Sequence, residues 1–257
     1  MLTLVVLGDP VAHSLSPRMH TAALEAAGLD GTYEALQVDA TGMGIMIARL
    51  HHGRLDGANV TMPHKRLAAV LADHLEPMAR RTLAVNTLSV DDGKVVGDNT
   101  DVGGFTDAAA RSGLPDDAPV LVLGSGGAAA AAMVALEGRP LHVSARRPEA
   151  VKALSDRLGV AATPVVWGVS VPGAVVVNCT PLGTDGEELP GSLVGDASGY
   201  FETVYAGGPT PAQTEALANG IPVATGLDLL VAQGARSFAV WTGLPAPIDA
   251  MRTAIGA

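Results

Sequence analysis

The sequence predicts an α/β protein of two domains. Strand-length apolar runs alternate with helical segments along the whole chain, and one such run enters the glycine-rich turn Gly124-Ser125-Gly126-Gly127-Ala128-Ala129 before another helix. The length, 257 residues, exceeds the usual size of a single domain. With 48% hydrophobic and 16% charged residues the chain can bury two cores, and no apolar run approaches the length that crosses a bilayer. A formal charge of -10 argues against a nucleic-acid or membrane-surface partner, since both need a basic face. A small anion held by a few local cations stays open. Cys179 is the only cysteine, so neither an intrachain disulfide nor a cysteine zinc site is expected. The first residues enter a strand without a basic region or cleavage site, which reads as cytoplasmic.

Residues 2–7 are a continuous apolar strand run closed by Gly8-Asp9-Pro10. The loop through His13, Ser14 and Ser16 feeds a helix over 17–27, with Ser16 as N-cap, Pro17 in the first helical position and Gly28 past the end. Ser14 and Ser16 thus flank a helix N-terminus, where backbone N–H groups and the helix dipole favour an anion such as a carboxylate. The simpler reading is that both merely cap. A strand at 32–38, a helix at 42–52 and a strand over 55–60 follow. Next comes Asn59-Val60-Thr61-Met62-Pro63-His64-Lys65, in which Pro63 stiffens the approach and Lys65 falls where a helix begins, projecting toward a cleft. Two further polar clusters, Val85-Asn86-Thr87 and Asp98-Asn99-Thr100-Asp101, also end strand-like runs. Helical stretches fill 65–82, and a hairpin pairs 86–90 with 94–96 around Asp91-Asp92-Gly93. His51 and His52 are adjacent on a helix, so they diverge and cannot chelate one metal; they read as solvated, and no metal site is expected. No HExxH or GxSxG occurs, so peptidase and hydrolase chemistry has no support.

Asp101 opens a helix to about 112, along which the chain passes between domains. Residues 119–123 form a buried-strand pattern, the glycine turn follows, and a helix runs over 130–136. Strand, GxGxxA and helix in that order are the context of a dinucleotide site. The next strand, 141–144, ends in Ala145-Arg146-Arg147, where an NAD site usually carries an acid for the ribose 2′-hydroxyl. Two guanidinium groups suit a 2′-phosphate instead, so NADP is expected over NAD. A helix over 148–158, strands at 174–177, 200–205 and 221–224 and a helix over 212–219 continue a parallel sheet. Two helices with apolar spacing (Leu227, Leu230, Val231; Ile248, Met251, Ile255) follow from Gly226.

These motifs, with Asn178-Cys179-Thr180-Pro181-Leu182-Gly183 and Gly226-Leu227 followed by Val231-Ala232-Gln233, make the chain resemble the shikimate dehydrogenase family over essentially its whole length. The resemblance implies a substrate-binding catalytic domain at 1–101, a Rossmann-like NADP domain at 102–225, and helices at 226–257 that return to the first domain. It implies reversible hydride transfer between 3-dehydroshikimate and NADPH, giving shikimate for aromatic amino-acid (chorismate) biosynthesis, by a monomer or homodimer. Lys65 and Asp101 resemble the family's catalytic pair. Ser14 and Ser16 resemble the hydroxyls that hold the substrate carboxylate, and Thr61, Asn86, Asp101 and Gln233, with Tyr205 nearby, the partners of the ring hydroxyls. Gly124, Ser125, Gly126, Gly127, Ala128, Ala145, Arg146, Arg147, Thr180, Thr203 and Gly226 correspond to the cofactor contacts. The chain departs from the family's common pattern at three places: Ala145-Arg146-Arg147 stands for Asn-Arg-Thr, Glu202 for aspartate and Leu229 for methionine. Quinate or aminoshikimate dehydrogenases share most of these motifs, and a non-catalytic ligand-sensing relative is a third reading. Retention of both Lys65 and Asp101 speaks against the last, since a sensor needs no proton-transfer pair.

Overall fold

The computed structural model describes residues 1–205 and 207–257. In chain order its elements are β1 (Leu2–Gly8), α1 (Ser16–Ala26), β2 (Gly31–Gln37), α2 (Ala40–His51), β3 (Gly57–Val60), α3 (Lys65–Leu71), β4 (His74–Leu75), α4 (Pro77–Thr82), β5 (Thr87–Asp91), β6 (Lys94–Asp98) and α5 (Thr100–Arg111). There follow β7 (Val120–Leu123), α6 (Gly127–Ala135), β8 (Leu141–Ser144), α7 (Pro148–Leu158), β9 (Thr163–Val165), β10 (Val175–Asn178), β11 (Gly199–Glu202), α8 (Pro211–Ala218), β12 (Val223–Ala224), α9 (Gly226–Thr242) and α10 (Ile248–Ile255). They divide into two compact units, Met1–Gly104 with Leu230–Ala257, and Phe105–Leu229. The chain therefore passes between units inside α5 and again inside α9.

In the first unit the strands lie in the order β2-β1-β3-β5-β6-β4. β1 runs parallel to β2 and β3, with α1 and α2 as crossovers, while β5 is antiparallel to β3 and β6. Asp92 and Gly93 both take positive φ (47° and 71°), the pair a tight hairpin turn of type I′ requires. On one face of this sheet Leu7, Met43, Leu50, Leu55, Val85 and Leu88 form a closed core. The terminal helices lie with this unit: Trp241 Nε1 donates to Leu88 O at 2.9 Å, and Arg18 donates to Ala254 O at 2.6 Å.

All strand pairs of the second unit are parallel, in the order β12-β11-β10-β7-β8-β9. Numbered within the unit and read from the β9 edge this is 3-2-1-4-5-6, the doubly wound dinucleotide-binding order, whose switch point lies between β7 and β10. Every residue of β7, β10 and β11 is buried, as a sheet covered on both faces demands. Phe105, on α5, meets Phe201 of β11 with ring centroids 5.0 Å apart.

Four local expectations are corrected. Ser16 is not an N-cap: α1 starts one residue earlier than expected, at Ser16, its N-cap is Leu15 with no side-chain bond, and Ser14 Oγ accepts the Ser16 N–H at 3.2 Å instead. α6 begins at Gly127, three residues before the expected start at 130, because the glycines of the turn already take up its first turn. β11 stops at Glu202 instead of reaching 205, since the Glu202 carboxylate accepts the N–H groups of Thr203 and Val204 (2.8 and 2.9 Å) and turns the backbone out of the ladder. β4 and β9, two and three residues long, are too short to show a period in sequence and were not expected.

Candidate active site

Register brings the ends of β1 and β3 side by side, with Leu7 opposite Val60. A Cβ on Gly8 would lie 2.4 Å from the Thr61 methyl, so only glycine lets Thr61 take its place there. Thr61 is held by its own backbone, its N–H donating to Leu7 O at 2.8 Å and its carbonyl accepting from His64 N–H at 3.0 Å. Lys65 then opens α3. Its ammonium donates to Asp101 Oδ2 at 2.7 Å, and the two side chains are only 23% and 11% exposed. Asp101 sits in the first turn of α5, where the helix dipole favours a carboxylate.

Behind this pair the polar side chains of three strand ends and α9 close into a network. Asn86, buried at the entry to β5, has the two N–H donors of its Nδ2 within reach of Asp101 Oδ1 (2.9 Å), Thr100 Oγ1 (2.9 Å) and Gln233 Oε1 (3.1 Å). Its Oδ1 accepts the Thr100 N–H at 2.8 Å, which fixes the orientation of the amide. Gln233 is held in turn by its Nε2 donating to Leu230 O at 2.8 Å. Asn59 donates to Asn86 O (3.0 Å) and Ser237 Oγ (3.0 Å) and accepts from Tyr33 Oη (2.6 Å). The hydroxyls of Thr87, Thr100 and Ser237 lie 2.8–3.1 Å from one another. The sequence marked Lys65, Asn86, Asp101 and Gln233, and the structure brings these four together. It did not mark Asn59, Thr100 and Ser237 as parts of the site; Ser237, four residues after Gln233 on one helix face, is the one with a readable spacing.

Ser14 is half-buried and Ser16 buried at the start of α1, a helix with no acidic residue in its first turn and no side-chain cap. That end of the helix can receive an anion. Gln233 and Ser237 belong to the first unit, whereas Tyr205 lies in the second, half-buried three residues beyond β11. His51 Nε2 lies 2.6 Å from Asp73 Oδ2 and His52 Nδ1 2.6 Å from Ala48 O, both at the exposed end of α2.

In the second unit Gly124 follows β7 with φ 112°, and a Cβ there would press on Cys179 O at 3.0 Å. Glycine is thereby required at the switch point. Cβ atoms on Gly126 or Gly127 would meet nothing within 4 Å, so the start of α6 is an open cradle. Its N-cap, Gly126, offers no side chain to the first-turn N–H groups, which leaves them to a phosphate. Ser125 and Ala128 lie in the same turn. Ala145 is buried at the end of β8, and Arg146 and Arg147 stand exposed with no acid at 145–147. Thr180 Oγ1 donates to Asn178 Oδ1 (2.7 Å) and Thr203 Oγ1 to Asn178 O (2.7 Å), at the ends of β10 and β11. Gly226 closes on the same place: a Cβ there would lie 2.6 Å from Val204 O. An open glycine turn at a helix N-terminus with two arginines at the end of the next strand fits a 2′-phosphorylated dinucleotide.

Residues 6–88 match the model of the shikimate dehydrogenase substrate binding domain, and residues 226–255 that of the shikimate 5'-dehydrogenase C-terminal domain. The chain is 39% identical to a shikimate dehydrogenase (NADP(+)) of Thermus thermophilus, covering 100% of both chains. It is 40% identical to that of an Anaeromyxobacter species, over 98% of this chain and 95% of the relative. The crystal structure of a Thermus thermophilus shikimate 5-dehydrogenase in complex with NADP(H) and shikimate superposes with a TM-score of 0.89 at 37% identity, over 99% of this chain and 98% of that one. On this likeness over its full length, the chain belongs to the shikimate dehydrogenase family.

Proposed function

We propose that this protein is an NADP-dependent dehydrogenase interconverting 3-dehydroshikimate and shikimate, in aromatic amino-acid biosynthesis. The observation that carries the reading is the 2.7 Å bond between Lys65 Nζ and Asp101 Oδ2, backed by Asn86 and Gln233. NADPH, when bound, supplies the hydride. The chain's residues supply the rest. Reducing a ketone leaves charge on its oxygen, and the Lys65 ammonium stabilises that charge and gives up a proton to it. Asp101, fixed by Asn86, orients the ammonium and accepts from a ring hydroxyl. Ser14 and Ser16 at the start of α1 hold the substrate carboxylate, and Thr61, Asn86 and Gln233, with Tyr205, complete the contacts to the ring hydroxyls. Gly124, Ser125, Gly126, Gly127 and Ala128 would cradle the pyrophosphate, Arg146 and Arg147 beside Ala145 would take the 2′-phosphate, and Thr180, Thr203 and Gly226 would border the nicotinamide half. No helix of the described residues is long and apolar enough to cross a membrane. A cytoplasmic enzyme working as a monomer or homodimer suits this reading, and sedimentation decides between the two states.

The test is a steady-state comparison of shikimate, quinate and aminoshikimate, each with NADP and with NAD. The highest kcat/KM is expected for shikimate with NADP. A higher value for quinate or aminoshikimate would replace the substrate assignment, and no turnover of any of them would return the chain to a ligand-sensing role.

A further inference from the structure

One charged side chain of the second unit has no part in the chemistry above and yet is fully buried. Glu202, at the carboxyl end of β11, is 0% exposed. Its Oε1 accepts from Thr203 N–H (2.8 Å), Val204 N–H (2.9 Å) and Asn178 Nδ2 (3.0 Å), and its Oε2 from Tyr200 Oη (2.6 Å), Thr210 Oγ1 (2.9 Å) and Asn178 Nδ2 (3.2 Å). A carboxylate buried without hydrogen bonds is prohibitively costly, so a full set of donors is the condition for its presence. Tyr200 remains a donor throughout, because burial and the adjacent Glu202 charge push its phenol well above the ordinary range.

What these donors hold is more telling than their number. Asn178, gripped by Glu202 through Nδ2, uses its Oδ1 to accept both the N–H and the hydroxyl of Thr180 (3.1 and 2.7 Å), and its carbonyl accepts from the Thr203 hydroxyl (2.7 Å). Thr210 is the N-cap of α8 and closes the segment that begins at Thr203 and contains Tyr205. The loops after β10 and β11 press together at a second point, where a Cβ on Gly183 would lie 2.6 Å from the Thr210 methyl. In a doubly wound sheet the dinucleotide lies across the switch point, one half over each set of strands. Here the arginines at the end of β8 take the 2′-phosphate side, which assigns the ends of β10 and β11 to the nicotinamide half.

We propose that Glu202 is a positioning residue for the nicotinamide end of the cofactor site: its carboxylate locks Asn178, and through it Thr180 and Thr203, into the geometry that receives the ring. This rests on the reading of the second unit as an NADP site. It adds that the site is preorganised by one buried anion.

Glu202→Gln is a measured perturbation. With its oxygen toward Thr203 and Val204, the new amide can donate to the Tyr200 and Thr210 hydroxyls, which rotate to accept. Its oxygen still accepts from Asn178 Nδ2, but the new NH2 takes the place of Oε2, 3.2 Å from that same donor, so two N–H donors oppose each other and the hold on Asn178, and through its Oδ1 on Thr180, is what weakens. Calorimetric dissociation constants are to be measured for NADP+ and for 2′-phosphoadenosine 5′-diphosphoribose, which lacks only the nicotinamide. The proposal expects Glu202→Gln to weaken NADP+ by about tenfold, the scale of one charge-assisted hydrogen bond, and the fragment by less than about twofold. Glu202→Asp, which restores the carboxylate, should recover part of the difference. Asn178→Ala cuts the same link from the other side while leaving Glu202 its other donors, so it should show the same split even if Glu202→Gln fails to fold. Equal weakening of both ligands, or of neither, overturns the proposal. A wild-type protein that binds neither ligand overturns the NADP-site reading itself, an outcome recognisable before any variant is made.

Discussion

At the scale of single residues, Lys65 and Asp101 are joined by one hydrogen bond, and if they serve the proposed chemistry as one unit their kinetics should show it. On the proposed mechanism, Lys65→Ala removes the proton donor but leaves Ser14, Ser16, Thr61, Asn86 and Gln233 to bind. It should therefore cut kcat by about 10² or more with little change in substrate affinity. Asp101→Ala removes both a ring contact and the group that aims the ammonium, so kcat and KM should suffer together. The double variant should be little worse than the worse single one, because groups that share one hydrogen bond are not additive. A double-mutant cycle on both constants, with folding checked by thermal melt, measures this; near-normal turnover in Lys65→Ala would remove the lysine from the mechanism. Lys65 and Asp101 were legible in sequence as charged residues at helix starts, while their reading as a pair came from the resemblance to the family. The buried amides and hydroxyls that hold them were less so, since an asparagine at a strand end is equally a turn residue.

At the scale of elements, the proposed recognition rests on two helix starts and one strand end. Ser14 Oγ accepts a backbone N–H of the first turn of α1, which shapes that turn and, on the proposed reading, leaves its O–H for the substrate carboxylate. Ser14→Ala should weaken shikimate far more than an analogue lacking the carboxylate; equal weakening would reduce Ser14 to a local structural bond. At the end of β8, Arg146→Ala with Arg147→Ala should raise the KM for NADP and leave that for NAD nearly unchanged, because only NADP loses charge-assisted bonds. The double variant measured with both cofactors decides it, and equal losses would take the 2′-phosphate away from these arginines. The glycine turn was readable because strand, turn and helix occur in immediate sequence. The true start of α6 was not, since glycine helix starts give no side-chain cap to read.

At the scale of the molecule, stability and pH are tied through His20. This residue is fully buried on α1, stacked on Tyr33 with ring centroids 4.4 Å apart, and neither ring nitrogen has a hydrogen-bond partner among the described residues. Burial lowers its pKa from the ordinary 6.5 to about 3. The unfolded chain takes up this proton as pH falls through the ordinary value, while the folded protein does not until near pH 3. Stability present at neutral pH is therefore lost as pH falls across that window, by about 2 kcal/mol at pH 5. His20→Leu should lower the slope of Tm against pH between 7 and 5, whatever it does to Tm at neutral pH. An unchanged slope would mean the acid sensitivity resides in other groups.

The sequence by itself determined the α/β class and the strand-turn-helix of a dinucleotide site, and it placed two arginines at the end of β8 and the charges of Lys65 and Asp101 at helix starts. Each of these is local: apolar period, glycine placement and charge at a helix start act over a few residues. Tertiary structure alone decided which polar groups meet. Gln233 and Ser237 reach Asn86 and Thr87 across more than 140 positions because α9 packs against the first sheet, and Glu202 reaches Asn178 across 24 because β10 and β11 are neighbours. Strand order and helix return are properties of the packed chain, set by burying apolar faces jointly. A residue's own neighbours in sequence carry no record of them.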